Sequence, residues 1–204
     1  DRPRSSVIYG RRIYIAALMV MTWSQVSHWK NSITIFKHAI SVTDKVYPNF
    51  ALAHANLGSA LSAERKTEDA IFHFTKAIKL EPNFTLAHNN LGNALSDAGK
   101  TEEAISHYKL AIKLKPGYAA AHNNLGIALS NSRKIDEAIS HYKMAIKFKP
   151  NFAQSHYNLG LDLLTAVKVQ EAISHFKIAI NLKPDFALAR NNLKIALNIS
   201  EGEK

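Results

Sequence analysis

Eight of the ten histidines fall into two registers: His54, His88, His122 and His156, and, nineteen residues after each, His73, His107, His141 and His175. Regular histidines suggest metal ligation by neutral imidazole or a charge switch near neutral pH. A spacing of nineteen places the two members on different helices, and no carboxylate shares the phase. The expectation is therefore packing and hydrogen bonding between helices, with no metal.

A second series is Asn56, Asn90, Asn124, Asn158 and Asn192. Each stands in a near-repeated decapeptide, "LAHNNLGNAL" at 86–95 being one copy and "LAHANLGSAL" at 52–61 another. A side-chain amide offers donors and an acceptor, the same complement as a peptide group, so a row of them suits the main chain of an extended peptide. Asn89, Asn93, Asn123 and Asn191 widen the strip.

Catalytic signals are missing from the same survey. There is no nucleophile–base pair, no phosphate loop and no paired carboxylates at a fixed place in the period; Asp97 and Asp162 are isolated. With no cysteine, disulfides, thiol nucleophiles and thiolate metal sites are excluded. A catalytic site should break the repeat, and 51–199 is nearly uniform. The chain is not expected to be an enzyme alone, and no cofactor is expected.

The elements that position these residues follow from the period, which is 34 residues throughout. Full units run 51–84, 85–118, 119–152 and 153–186, with a half unit at 187–200. Each unit predicts two helices. In the second, "EDAIFHFTKAIKL" at 68–80 puts Ala70, Ile71, Phe74, Ala77 and Ile78 on one face. Acids open these second helices and lysines close them, as the helix dipole favours, and Pro82, Pro116, Pro150 and Pro184 stop them. Gly58, Gly92, Gly126 and Gly160 sit mid-helix, where glycine costs about 1 kcal/mol against alanine. Opposite Ala70, Ala104, Ala138 and Ala172, they allow a close helix approach that offsets this cost. One hairpin buries too little, so neighbours must stack into a solenoid.

By the period, the Leu-Gly pair, the second-helix Ala, the aromatic four residues later (Phe74, Tyr108, Tyr142, Phe176) and the final Pro, residues 51–199 resemble the tetratricopeptide (TPR) repeat. The resemblance implies an all-α solenoid, a right-handed superhelix of antiparallel helix pairs whose first helices line the concave side. Histidine at position 4, counted from 51, 85, 119 and 153, departs from the bulkier residue usual there. Lys194 replaces the glycine in the half unit, so 187–200 is expected to be a C-terminal capping helix. On the concave side, the five asparagines resemble the ladder of O-linked N-acetylglucosamine transferases, which grips substrate main chain. Positions 5 and 9 carry no Lys or Arg, so a clamp for a C-terminal carboxylate, as in Hsp70 and Hsp90 co-chaperones, is not expected.

The front of the chain differs. Residues 1–50 hold seven Lys/Arg and two Asp/Glu, half of the net +10. Residues 30–50 read as a degenerate first repeat, with Phe36 in the place of Phe74. Residues 13–23, "IYIAALMVMTW", are apolar on nearly every side, so a helix here would be buried in something. Eleven residues span roughly 16 Å as helix, about half of a ~30 Å hydrocarbon core. Ile13, Ile15, Leu18, Met19, Val20, Met21 and Trp23 would then be either the end of a membrane helix or a surface packed on a partner or second copy. "MTWSQVSHWKNSITIFKHAI" at 21–40 resembles the junction of transmembrane-and-TPR O-mannosyltransferases and their bacterial relatives. That implies an accessory tail on the non-cytoplasmic side of a membrane; the alternative is a soluble cytoplasmic or extracellular array.

Two functional readings follow: a scaffold binding an extended peptide along the asparagine strip, tethered through residues 13–29, or a structural array assembling through the apolar N-terminal helix. The exposed lysines, among them Lys109, Lys143 and Lys177, are interleaved with acids, and nucleic acid is not an expected partner. Asn83-Phe84-Thr85 and Asn198-Ile199-Ser200 fit the glycosylation sequon, which matters only in a secretory compartment.

Overall fold

The computed structural model describes residues 33–38, 40 and 51–202, which are helices and short turns. The helices are α1 (Ala51–Ala63), α2 (Thr67–Leu80), α3 (Thr85–Asp97), α4 (Thr101–Leu114), α5 (Ala119–Asn131), α6 (Ile135–Phe148), α7 (Ala153–Thr165), α8 (Val169–Leu182) and α9 (Ala187–Gly202). Each odd-numbered helix pairs with the even one after it and then with the next unit, and successive odd-numbered helices also touch. The half unit is a helix two residues longer than the sequence predicts. The expectations placed on residues 1–29 lie outside the described residues.

Close approach is visible at the glycines. A Cβ on Gly92 or Gly126 would stand 2.5 Å from the Tyr108 or Tyr142 ring, and one on Gly160 2.6 Å from Phe176. Across the seam, Ala104, Ala138 and Ala172 are fully buried. The aromatic ring thus fills the space the glycine leaves, and packing recovers what glycine costs the helix.

The hairpin turns close by the two-bond Schellman pattern, in which the chain reverses through a left-handed residue. Lys66 N–H donates to Leu61 O at 2.9 Å and Arg65 N–H to Ser62 O at 2.9 Å, and the same bonds recur in the later units. The left-handed residue is Gly99 (φ 75°) in one turn but Arg65, Arg133 and Val167 (φ 59–60°) in the others. Val167 is the most strained of these, being β-branched.

In α9 only Ala189 and Ala196 are buried, while Leu188 and Ile195 are more than half exposed. Lys194 is exposed at the glycine position. An aromatic residue seated there as Tyr142 is on Gly126 would collide with its Cβ, which suits a capping helix. At the other end Ile33 is buried in the same core, with Phe36 and Ile40 packed against it.

Candidate functional site

The position-6 asparagines lie on the face formed by α1, α3, α5, α7 and α9, and the structure gives them more partners than a free ladder would have. Asn124 Nδ2 donates to Asn89 Oδ1 (3.2 Å) and Asn93 Oδ1 (2.9 Å) of the preceding unit. Asn158 Nδ2 donates to Asn123 Oδ1 (3.1 Å), which also accepts from Ser155 Oγ (2.9 Å). Asn90 Nδ2 reaches Ser59 Oγ at 3.4 Å, and Asn192 Nδ2 reaches Tyr157 Oη at 3.3 Å and Leu188 O at 3.0 Å. Neighbouring amides along a helix are linked as well, Asn89 Nδ2 to Asn90 Oδ1 and Asn123 Nδ2 to Asn124 Oδ1.

Asn124 thus spends both amide hydrogens on the preceding unit, Asn192 spends one there and one within α9, and Asn90 and Asn158 spend one each, bonds that hold successive units in register. A carbonyl oxygen has two lone pairs, and those of Asn90, Asn124 and Asn158 each accept one bond, so each keeps an acceptor site. At Asn124 and Asn192 this corrects the expectation that every rung offers donor and acceptor together, whereas Asn90 and Asn158 keep one amide hydrogen as well as an acceptor site. Asn56, Asn90, Asn124 and Asn192 are half-buried and Asn158 buried; Asn89 and Asn123 are buried, and Asn93 and Asn191 exposed.

Two cavities open on this face. One of about 350 Å³ lies between α1 and α3, bordered by Ser59, Ser62, Asn90, Asn93 and Asp97. The next, of about 170 Å³, lies between α3 and α5 and shares Asn93 and Asp97 with the first. Tyr108 Oη donates to Asn93 Oδ1 at 2.9 Å, fixing one wall. Burial, with the Asp97 charge as a lesser cause, keeps the Tyr108 phenol protonated well above its ordinary range.

Asp162 is a residue that periodicity alone undervalues. It replaces Ala60, Ala94, Ala128 and Ala196 at its repeat position and is 5% exposed. Its Oδ1 accepts from Ser130 Oγ at 2.7 Å, while Oδ2 is buried with no partner. Desolvation raises its pKa, against the lowering effect of the serine. The break in the alanine series is the sequence signal that marks it.

The histidines meet in pairs across each hairpin. Nδ1–Nδ1 distances are 2.9 Å for His54–His73, 3.1 Å for His88–His107, 3.1 Å for His122–His141 and 3.0 Å for His156–His175. His88, His122 and His156 also bring Nε2 within 2.9–3.1 Å of the carbonyls of Pro82, Pro116 and Pro150. A carbonyl only accepts, so Nε2 carries the hydrogen, and the bare Nδ1 of the neutral ring must accept from the second histidine. In α9 Arg190 occupies the same position and its guanidinium donates to Pro184 O at 2.7 Å. Packing and hydrogen bonding between helices, as expected, are what these histidines do. The expectation that no carboxylate shares their phase is wrong: Asp69, Glu103, Glu137 and Glu171 act on His73, His107, His141 and His175 one helical turn on. No group of three or more metal-ligating side chains occurs among the described residues, and no described helix is long and apolar enough to cross a membrane.

Stacked helical hairpins with a row of asparagines along the first helices define an interaction scaffold. Sequence models described as tetratricopeptide repeat match residues 51–84, 119–152 and 73–106, and one described as TPR repeat matches 92–132. With the observed packing, these make the chain a tetratricopeptide repeat solenoid. It is similar to a crystal structure of MamA, at 27% identity and a TM-score of 0.66, covering 74% of this chain and 88% of that one. At 21% identity it shares its fold with the first TPR of Spaghetti (RPAP3) bound to the HSP90 peptide SRMEEVD, with a TM-score of 0.57 and coverage of 57% and 93%. A comparison with curated proteins gives no match.

Proposed function

We propose that this chain is a scaffold that holds an extended peptide segment of a protein partner along the asparagine face. The observation that carries the proposal is the pair of adjoining cavities of mixed polar and apolar lining flanked by Asn90 and Asn124, whose side-chain oxygens keep acceptor capacity. First helices repeat roughly every 10 Å and an extended strand rises about 3.3 Å per residue, so one rung meets about every third residue. Asn124 keeps only its acceptor and Asn90 an acceptor and one amide hydrogen, so the strip would read peptide N–H groups foremost, which every residue but proline supplies. A structure of the same fold is bound to a peptide, so the fold admits one. The tether through residues 13–29, and a place as the accessory tail of a membrane glycosyltransferase, are further parts of the proposal and rest on sequence alone.

The test is binding of the chain to a random-sequence peptide pool, with the Asn90→Ala/Asn124→Ala variant alongside and Asn83→Ala, in an exposed turn, as control. The expected loss is about 2 kcal/mol at roughly 1 kcal/mol per hydrogen bond, or about thirty-fold. Circular dichroism must show the variant folded, because Asn124 also bridges α5 to α3. Unchanged affinity in a folded variant would remove the amide strip from the account.

A further inference from the structure

Asp97 is the one charged residue among the described residues lining the two cavities, and both include it. It is exposed, and no hydrogen bond or ion pair among the described residues engages its carboxylate. Its placement runs against local preference. It is the last residue of α3, where the helix dipole is negative and disfavours a carboxylate. The equivalent places hold Ala63, Asn131, Thr165 and Ile199, so neither the repeat nor the helix requires an acid. Local rules broken without structural gain are where functional residues are found.

The rest of the chain makes the sign informative. With a net charge of +10, the protein as a whole attracts anions. The lining of the two cavities carries only this one charge, so the local carboxylate sets their sign. The serines and amides around it are neutral and cannot neutralise it.

We propose that the peptide held on this face carries a lysine or arginine side chain that enters the paired cavities and meets Asp97, between the main-chain contacts at Asn90 and Asn124. This rests on the peptide-binding reading above and adds its charge specificity. A basic residue about midway between two rungs would reach the carboxylate while the main chain on either side donates to the amide oxygens. The carboxylate then acquires a counter-ion that no described residue supplies.

The experiment measures binding of the full chain to labelled Gly/Ser/Ala peptides identical except for one central Lys, Gln or Glu, by fluorescence anisotropy at low and high salt. The expected result is Lys tighter than Gln by about five-fold at low salt, with Glu weakest. This order is the reverse of what net charge alone predicts. Asp97→Asn, a nearly isosteric change at an exposed site, should bring the Lys/Gln ratio to one and leave the Gln peptide unaffected. Equal affinities in the wild type, or a Lys preference that Asp97→Asn retains, would overturn the inference. If the Gln peptide still binds and is lost in the Asn90/Asn124 variant, the main-chain reading survives that overturning. Absence of binding by all three peptides would end both.

Discussion

Between α5 and α6, an added Cβ on Gly126 would stand 2.5 Å from the Tyr142 ring, and nearly the same crowding recurs at Gly58, Gly92 and Gly160. On the face formed by the first helices, by contrast, position 9 is Ser59, then Asn93, Ile127, Leu161 and Ile195. The seam inside each hairpin is repeated almost atom for atom, while the face between hairpins varies from unit to unit. Close packing tolerates few solutions, so the seam admits one. The open face is constrained only by amide bonds such as Asn124 to Asn93 and by whatever it holds, so Asp97 appears there without disturbing the array.

The strongest way to break this contrast is to fill the seam. Gly126→Ala should destabilise the chain by about 2–3 kcal/mol, because the Tyr142 ring cannot retreat from a packed core. Lys194→Ala, at the same repeat position in α9, should change stability by no more than about 0.5 kcal/mol. Urea unfolding of both variants makes the comparison, and equal effects would show that the seam is not what distinguishes interior units from the cap.

Acid should loosen the seam next. Burial foremost lowers the pKa of His73, His107, His141, His156 and His175; the paired histidine adds to this in all but His156, where the Pro150 hydrogen bond opposes it. Lys37, Lys109 and Lys143 act in the same direction on His73, His141 and His175, while Asp69, Glu103, Glu137 and Glu171 oppose it. The folded chain thus binds fewer protons than the unfolded one. Its histidine contribution is complete above the ordinary value near 6.5 and is lost as pH falls through the lowered folded values. A first proton can enter the bare Nε2 of the second histidine and keep the bridge; a second has no place without breaking Nδ1–Nδ1. The unfolding midpoint should fall from pH 7 to pH 5, and His107→Phe with His141→Phe should flatten that slope. Asp162 has the opposite sign: its raised pKa means that the stability it withholds at neutral pH returns on acidification. The profile is therefore best taken in Asp162→Ala as well, where the gain that this carboxyl contributes on acidification is removed.

The smallest effect expected is a gain. Val167→Gly places glycine in the left-handed turn residue that Gly99 already occupies in an earlier unit, and should stabilise the chain by about 1 kcal/mol. A melting temperature unchanged or lowered would mean that Val167 is not strained.

Much of this architecture is legible in the residues themselves. Glycine at position 8 opposite alanine and an aromatic, with proline at each unit's end, leaves stacked hairpins as the packing that buries all of them. The capping role of α9 is readable from Lys194 for the same steric reason. The histidine pairing was legible only as a contact between helices. Their in-phase acids, Asp69, Glu103, Glu137 and Glu171, stand four residues before the second histidines in the sequence, a spacing that becomes a contact only once the segment is helical. The bonds of the asparagines were not legible at all. Sequence shows that Asn124 recurs but not that Asn89 and Asn93 of the preceding unit lie within reach.

Sequence alone therefore determined the period, the helices, the seam and the presence of a row of amides, since each follows from side-chain size and spacing along one chain. Tertiary structure decided that Asn124 uses its hydrogens on the preceding unit, that His88 faces His107 nitrogen to nitrogen, and that Asp97 borders two cavities at once. Those facts depend on distances between helices more than thirty residues apart or on opposite sides of a turn, and a distance across space is set by packing, which no single stretch of sequence contains.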